Sequence, residues 1–129
     1  MFRLSRRSLE RREGVDPRLI AVCDRALEIT LVDFGIPADG GVRSDSRQRE
    51  LFDSGASLCD GIIERSKHQD GKALDFFAYV DGRASWDALH LTHVAAAFLQ
   101  AGSELGVKLK WGGFFGRDGW DKPHIELDE

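Results

Sequence analysis

The chain has 129 residues, 42% apolar and 31% charged, with a net charge of −4. That length supports one domain around one core, and the composition is that of an ordinary soluble globular protein. The acidic balance argues against a general nucleic-acid binder, and no apolar run approaches the roughly 18–20 residues that a membrane span needs.

The first twenty residues depart from the average. Six arginines (Arg3, Arg6, Arg7, Arg11, Arg12 and Arg18) stand against Glu10, Glu13 and Asp16. Residues 1–14 are expected to form a flexible basic arm, either solvated or touching an anionic polymer. The start, Met1 to Ser8, lacks the apolar stretch of a secretory signal, so synthesis in the cytoplasm is expected. Asp16-Pro17 reads as a helix cap followed by proline at the first helical position. Leu19, Ile20, Cys23, Ala26, Leu27 and Thr30 then recur at helical spacing to about Val32. Gly41-Val-Arg43 is expected to be extended. Ser44 caps a second helix that contains Gln48, Leu51 and Phe52 and ends at Gly55. Residues 56–70 read as an irregular loop.

Ala73 to Val80 reads as a strand with both faces largely apolar, hence covered on both sides. Asp81-Gly82 is a two-residue hairpin turn. Ser85 or Asp87 caps a long third helix that runs to Gly106. Val107 to Trp111 and His124 to Leu127 complete the strands. Helices followed by antiparallel strands around a crossing helix predict a small α+β domain spanning 1–129, an antiparallel sheet packed with about three helices. Two cysteines are too few for a disulfide scaffold. Cys23 reads as a small core residue, and Cys59 as a free thiol rather than a ligand.

Chemistry concentrates in the second half. Ser66-Lys-His68-Gln-Asp-Gly71-Lys-Ala-Leu-Asp75 is followed much later by Asp121-Lys-Pro-His124-Ile-Glu126. Two histidines and a carboxylate are ligand types that hold a catalytic zinc and leave a position for water. Asp121, three residues before His124, is a candidate base for that water. Asp75 on a strand face has two readings, a metal ligand or half of a buried ion pair, since a desolvated carboxylate needs one or the other. Gly71 lets the loop fold back so that His68 meets the strand. By alternation Glu126 shares a face with His124, and either orients it or is solvated. His90 and His93 also stand three apart on a helix, but no third ligand is obvious beside them, so they read as surface residues.

These motifs resemble the zinc peptidases of bacterial cell-wall peptides: the VanY- and VanX-like D-alanyl-D-alanine peptidases and the L-alanyl-D-glutamate endopeptidases of phage endolysins. The similarity extends to Val15-Asp-Pro-Arg-Leu19, to Gly41-Val-Arg43-Ser with Gln48, and to Asp75 through Gly82. It continues in Ala101 through Gly106 and in Trp111-Gly112. The resemblance implies a Hedgehog/D-Ala-D-Ala-peptidase-like fold, Zn2+ on His68, Asp75 and His124, and Asp121 as catalytic base. It further implies Arg43 facing the substrate, with Ser66 and Gln48 as substrate-binding residues. The carboxypeptidase branch commonly uses glutamate as base, so aspartate points to the phage endopeptidases. Residues 112–120 are shorter than the acidic insertion of some phage relatives, which weighs against a cation-regulated loop.

The expected activity is hydrolysis of the peptidoglycan stem peptide at the L-Ala–D-Glu bond, for cell-wall degradation and host lysis. A D-Ala-D-Ala carboxypeptidase and a non-catalytic zinc-containing wall-binding or phage structural module are the alternatives. The expected partner is peptidoglycan, with no nucleic acid and no stable membrane insertion. The protein is expected to act as a monomer in the periplasm, reaching the wall through a membrane lesion made by a holin.

Overall fold

The computed structural model describes residues 1–129. Its elements are α1 (Arg6–Arg11), α2 (Pro17–Ile29), β1 (Asp33–Gly35), α3 (Asp45–Asp53), β2 (Ala73–Asp75), β3 (Phe77–Val80), β4 (Arg83–Ser85), α4 (Ala88–Leu105), β5 (Leu109–Trp111) and β6 (His124–Leu127). Short 3-10 turns cover Lys67–Asp70 and Gly112–Phe114. The strands form two antiparallel three-stranded sheets, ordered β1-β3-β4 and β2-β6-β5. The α+β class is therefore as expected, with two sheets and four helices where one sheet and about three helices were predicted.

The caps explain the helices. Asp16 accepts from the Arg18 amide, Ser44 from that of Arg47 and Asp87 from that of Leu89, each satisfying a free donor at a helix start. Asp81 and Gly82, both at positive φ, make the tight turn between β3 and β4.

The core lies between α2 and α4 and the inner faces of the sheets. Leu19, Val22, Cys23 and Ala26 of α2 meet Leu91, Val94, Phe98 and Ala101 of α4, all buried. Phe98 lies 5.1 Å from Phe34 and stacks at 5.2 Å on Phe76. Each such side chain removed from water contributes roughly 1.5–3 kcal/mol.

Three expectations are corrected. The single strand over Ala73–Val80 is divided at Phe76, which belongs to neither sheet. Its amide donates to the Pro123 carbonyl at 2.8 Å while its ring enters the core. A continuous apolar pattern in the sequence hides such a change of sheet, and the cover expected on both faces fails at its far end, where Tyr79 is exposed. A strand that was not expected lies at Asp33–Gly35, pairing Phe34 with Ala78, while Gly41–Arg43 joins neither sheet.

The third correction concerns residues 1–14. Ser5 caps α1, and the Ser8 hydroxyl, buried, accepts from the Ile36 amide at 2.9 Å. Arg11 donates to the Ile36 carbonyl at 2.9 Å, and Arg12 pairs with Asp24 at 2.6 Å. The arm is thus fastened by hydrogen bonds, which leave no apolar periodicity to detect.

Asp16 ties α2 to the end of the metal-motif loop. Its carboxylate pairs with Arg18 and with Lys72, both at 2.9 Å, and its amide donates to the Gly71 carbonyl at 2.9 Å. The bonds from Arg18 and Lys72 hold its pKa well below the ordinary carboxylate range. A depressed folded-state pKa gives stability that is complete above the unfolded value, near 4, and lost as pH falls through the folded one. Asp16→Asn, which keeps a capping oxygen but no charge, should be less stable than wild type at pH 7 by about 1 kcal/mol or less. In urea unfolding that gap should shrink steadily below about pH 4; a gap constant from pH 7 to pH 2 would contradict this role.

Candidate active site

Two local devices bring the motif residues together. In the first, the Ser66 hydroxyl accepts from the His68 amide while the Gln69 side chain accepts from the Ser66 amide at 2.8 Å. This reciprocal cap starts a 3-10 turn that ends at Gly71, whose φ of 70° turns the chain back toward β2. In the second, β2 and β6 pair in a register that sets Asp75 opposite His124. Directly opposed residues on one sheet face bring their side chains into contact.

The result is a compact cluster. Asp75 Oδ1 lies 3.1 Å from His68 Nε2 and 3.0 Å from His124 Nδ1. One donor atom from each of the three lies within 4.8 Å of the others, as a shared metal ion would require. Tetrahedral zinc with bonds of about 2.0–2.1 Å sets its ligands roughly 3.3 Å apart, close to these separations. The side chains are 3%, 20% and 9% exposed for His68, Asp75 and His124, so the carboxylate is the most accessible of the three.

The outer ring nitrogens decide the protonation. His68 Nδ1 lies 2.9 Å from the Gly41 carbonyl, and His124 Nε2 lies 2.8 Å from Glu126 Oε1. Both partners only accept, so both outer nitrogens carry hydrogen, and the inner ones present lone pairs to Asp75. Two lone pairs facing a carboxylate need a positive charge between them, whether extra protons or a cation. The electrostatics agree. When extra protons supply that charge, the inner nitrogens donate to Asp75 and hold its pKa below the ordinary range, although burial alone would raise it. Burial would lower that of His124, yet Asp75 and Glu126 push it up to about 9. The donor set therefore fits a divalent metal.

Asp121 lies beside the cluster, with Oδ2 3.8 Å from His124 Nδ1, and burial raises its pKa. Gly112 permits this placement: a Cβ there would collide with the Asp121 carbonyl. Arg43 reaches Asp75 Oδ2 at 3.5 Å from the other side, anchored by the Asp39 carbonyl and by Gln48 Oε1. Ser66 lines the cavity but is buried and occupied with its cap.

Gln48 is not where a substrate contact should be. It is fully buried and does not line the cavity; its Nε2 donates to Ser57 Oγ and the Cys59 carbonyl, and its Oε1 accepts from Arg43. It holds Arg43 to the loop after α3. His90 bonds Ser85 at 2.7 Å, away from the cluster, and His93 is exposed. Cys59 lines the cavity as a free thiol whose pKa burial raises.

The cluster opens into a cavity of about 600 Å³ with Arg43, Asp121, Leu58, Phe115 and Trp120 in its walls. The Phe115 ring lies 5.7 Å from that of His124. Sequence reasoning placed Gly41 in a motif but missed its role: its carbonyl orients His68, and it packs so closely under the Arg11 carbonyl that a Cβ would collide with it. The Gly40-Gly41 pair before Arg43 was the available signal. It also missed the aromatic rim, since Phe115 and Trp120 fall in a stretch without periodicity.

Glu126 is the only acceptor on the outer nitrogen of His124, so its charge should matter for metal binding. Glu126→Gln should weaken divalent-metal affinity by about 10–100-fold in a chelator competition while barely moving the melting temperature of the metal-free protein. Unchanged affinity would contradict the orienting role.

The comparisons with known proteins concern the chain as a whole. The family model described as phage L-alanyl-D-glutamate peptidase matches residues 1–128. The chain is 33% identical over 137 aligned positions to the L-alanyl-D-glutamate peptidase of Escherichia phage T5, covering 98% of each protein. Among solved structures, the Serratia marcescens L-Ala D-Glu endopeptidase ChiX superposes with a TM-score of 0.84 at 35% identity, over 98% of this chain and 90% of that one. A match across nearly the whole length places the chain in the phage L-alanyl-D-glutamate peptidase family.

Proposed function

We propose that the chain is a zinc-dependent endopeptidase that hydrolyses the L-Ala–D-Glu bond of peptidoglycan stem peptides during phage lysis. One observation carries this reading: two imidazoles turn their inner nitrogens onto Asp75, with a further carboxylate, Asp121, 3.8 Å from His124 Nδ1. Two imidazoles and one carboxylate suit zinc. Bound there, zinc would lower the pKa of water and polarise the scissile carbonyl.

The chain's own groups do the rest. Asp121, made more basic by burial and 28% exposed, takes a proton from the attacking water and returns it to the leaving amine. Arg43, fixed by Asp39 and Gln48, presents its guanidinium to the oxygen on which negative charge develops. Ser66 holds the turn that carries His68, and Gln48 acts through Arg43 rather than by touching substrate. Membership of a phage family supports a lysis role, in which a second, pore-forming protein gives access to the wall. No helix is long and apolar enough to cross a membrane.

The test is digestion of purified peptidoglycan by wild type and Asp121→Ala, with products identified by mass spectrometry. Wild type should create new L-alanine C-termini and D-glutamate N-termini. Asp121→Ala should keep its metal and lose about 10²–10⁴-fold in kcat/KM. Release of free D-alanine would move the activity to the carboxypeptidase branch, and an Asp121→Ala variant of full activity would remove Asp121 from the mechanism.

A further inference from the structure

Trp120 is 61% exposed, lines the cavity and immediately precedes Asp121. Leaving so large an apolar ring in water is unfavourable, and such rings at a cleft mark ligand contacts. The backbone just before it is held by two hydrogen bonds. The Gly119 amide donates to the Phe115 carbonyl at 2.9 Å, and Lys122 Nζ donates to the Gly119 carbonyl at 2.8 Å. The Trp120 indole packs 6.1 Å from the Phe115 ring, which in turn lies 5.7 Å from His124. Ring contacts thus tie an exposed indole to the metal cluster. Neither the proton transfers nor metal binding use it.

We propose that Trp120 is the platform of a carbohydrate subsite, its indole face taking the sugar ring that bears the stem peptide. This rests on the endopeptidase reading above. In peptidoglycan the L-alanine nitrogen is acylated by the lactyl group of an amino sugar. The scissile carbonyl belongs to that alanine, so the sugar begins about two residue lengths away, roughly 7 Å. Asp121 must stand at the scissile bond, and the Cα of Trp120 is about 3.8 Å from that of Asp121, within an indole's reach of the sugar. The C–H face of a pyranose is apolar and slightly positive, and it packs on the electron-rich face of an aromatic ring. Leu58, 80% exposed and also in the cavity wall, adds apolar surface to the same cleft.

The test compares two substrates with the same stem tripeptide. One carries the disaccharide through its lactyl group; the other is N-acetylated at alanine, so both have an amide there. Wild type should favour the disaccharide substrate by about tenfold in kcat/KM, equivalent to about 1.4 kcal/mol. In Trp120→Ala the ratio should fall to near one, and in Trp120→Phe part of it should remain. The ratio is taken within each variant, so loss of folded protein cancels. A wild type without preference, or a preference that survives in Trp120→Ala, overturns the subsite and leaves the endopeptidase reading standing. Cleavage of neither substrate overturns both.

Discussion

The site depends on one carboxylate. Asp75 ends β2, sits opposite His124 in the ladder, and receives His68 from a turn whose end is set by Gly71. A largely buried carboxylate between two imidazoles is tolerable only with positive charge supplied to it. Much of the surrounding architecture holds that arrangement. The Gly40 carbonyl accepts from the Asp75 amide at 2.7 Å, and the Gly41 carbonyl orients His68. Glu126 orients His124 from the same face of β6. The division of the long strand at Phe76 follows from the same constraint. Asp75 keeps its pairing with β6, while the chain beyond crosses to a second sheet to fill the core.

The helix caps, the Asp81-Gly82 hairpin and the cluster residues were legible in the sequence, because each leaves a local mark. A cap needs one side-chain oxygen at one position, a tight turn needs positive φ, and a metal motif needs particular donors at particular spacing. What was not legible depends on contacts between irregular segments, several of them distant in sequence. Ser8 bonds Ile36, Arg11 packs against Gly41, and Gln48 reaches Ser57 and Arg43. None of these follows a period of 2 or 3.6. Gln48 shows the limit of carrying a role over by resemblance, since burial makes it a support for Arg43 instead of a substrate contact.

The N-terminal helix gains significance in this light. Arginine-rich sequence suggested a solvated arm, yet Arg11 and Ser8 clamp Ile36 at the start of the segment that ends in Gly40, Gly41 and Arg43. That segment supplies backbone to Asp75 and His68 and a guanidinium to the cavity. A short polar helix, held by hydrogen bonds, thus braces the segment that supports the candidate metal centre.

The central claim is that His68, Asp75 and His124 jointly hold a catalytic metal. A crystal structure of the zinc-loaded protein, with anomalous diffraction recorded at the zinc edge, tests it most directly. The account predicts one strong peak about 2.0–2.2 Å from His68 Nε2, His124 Nδ1 and a carboxylate oxygen of Asp75. A peak elsewhere, or undiminished cleavage of peptidoglycan by protein stripped of metal, would contradict it.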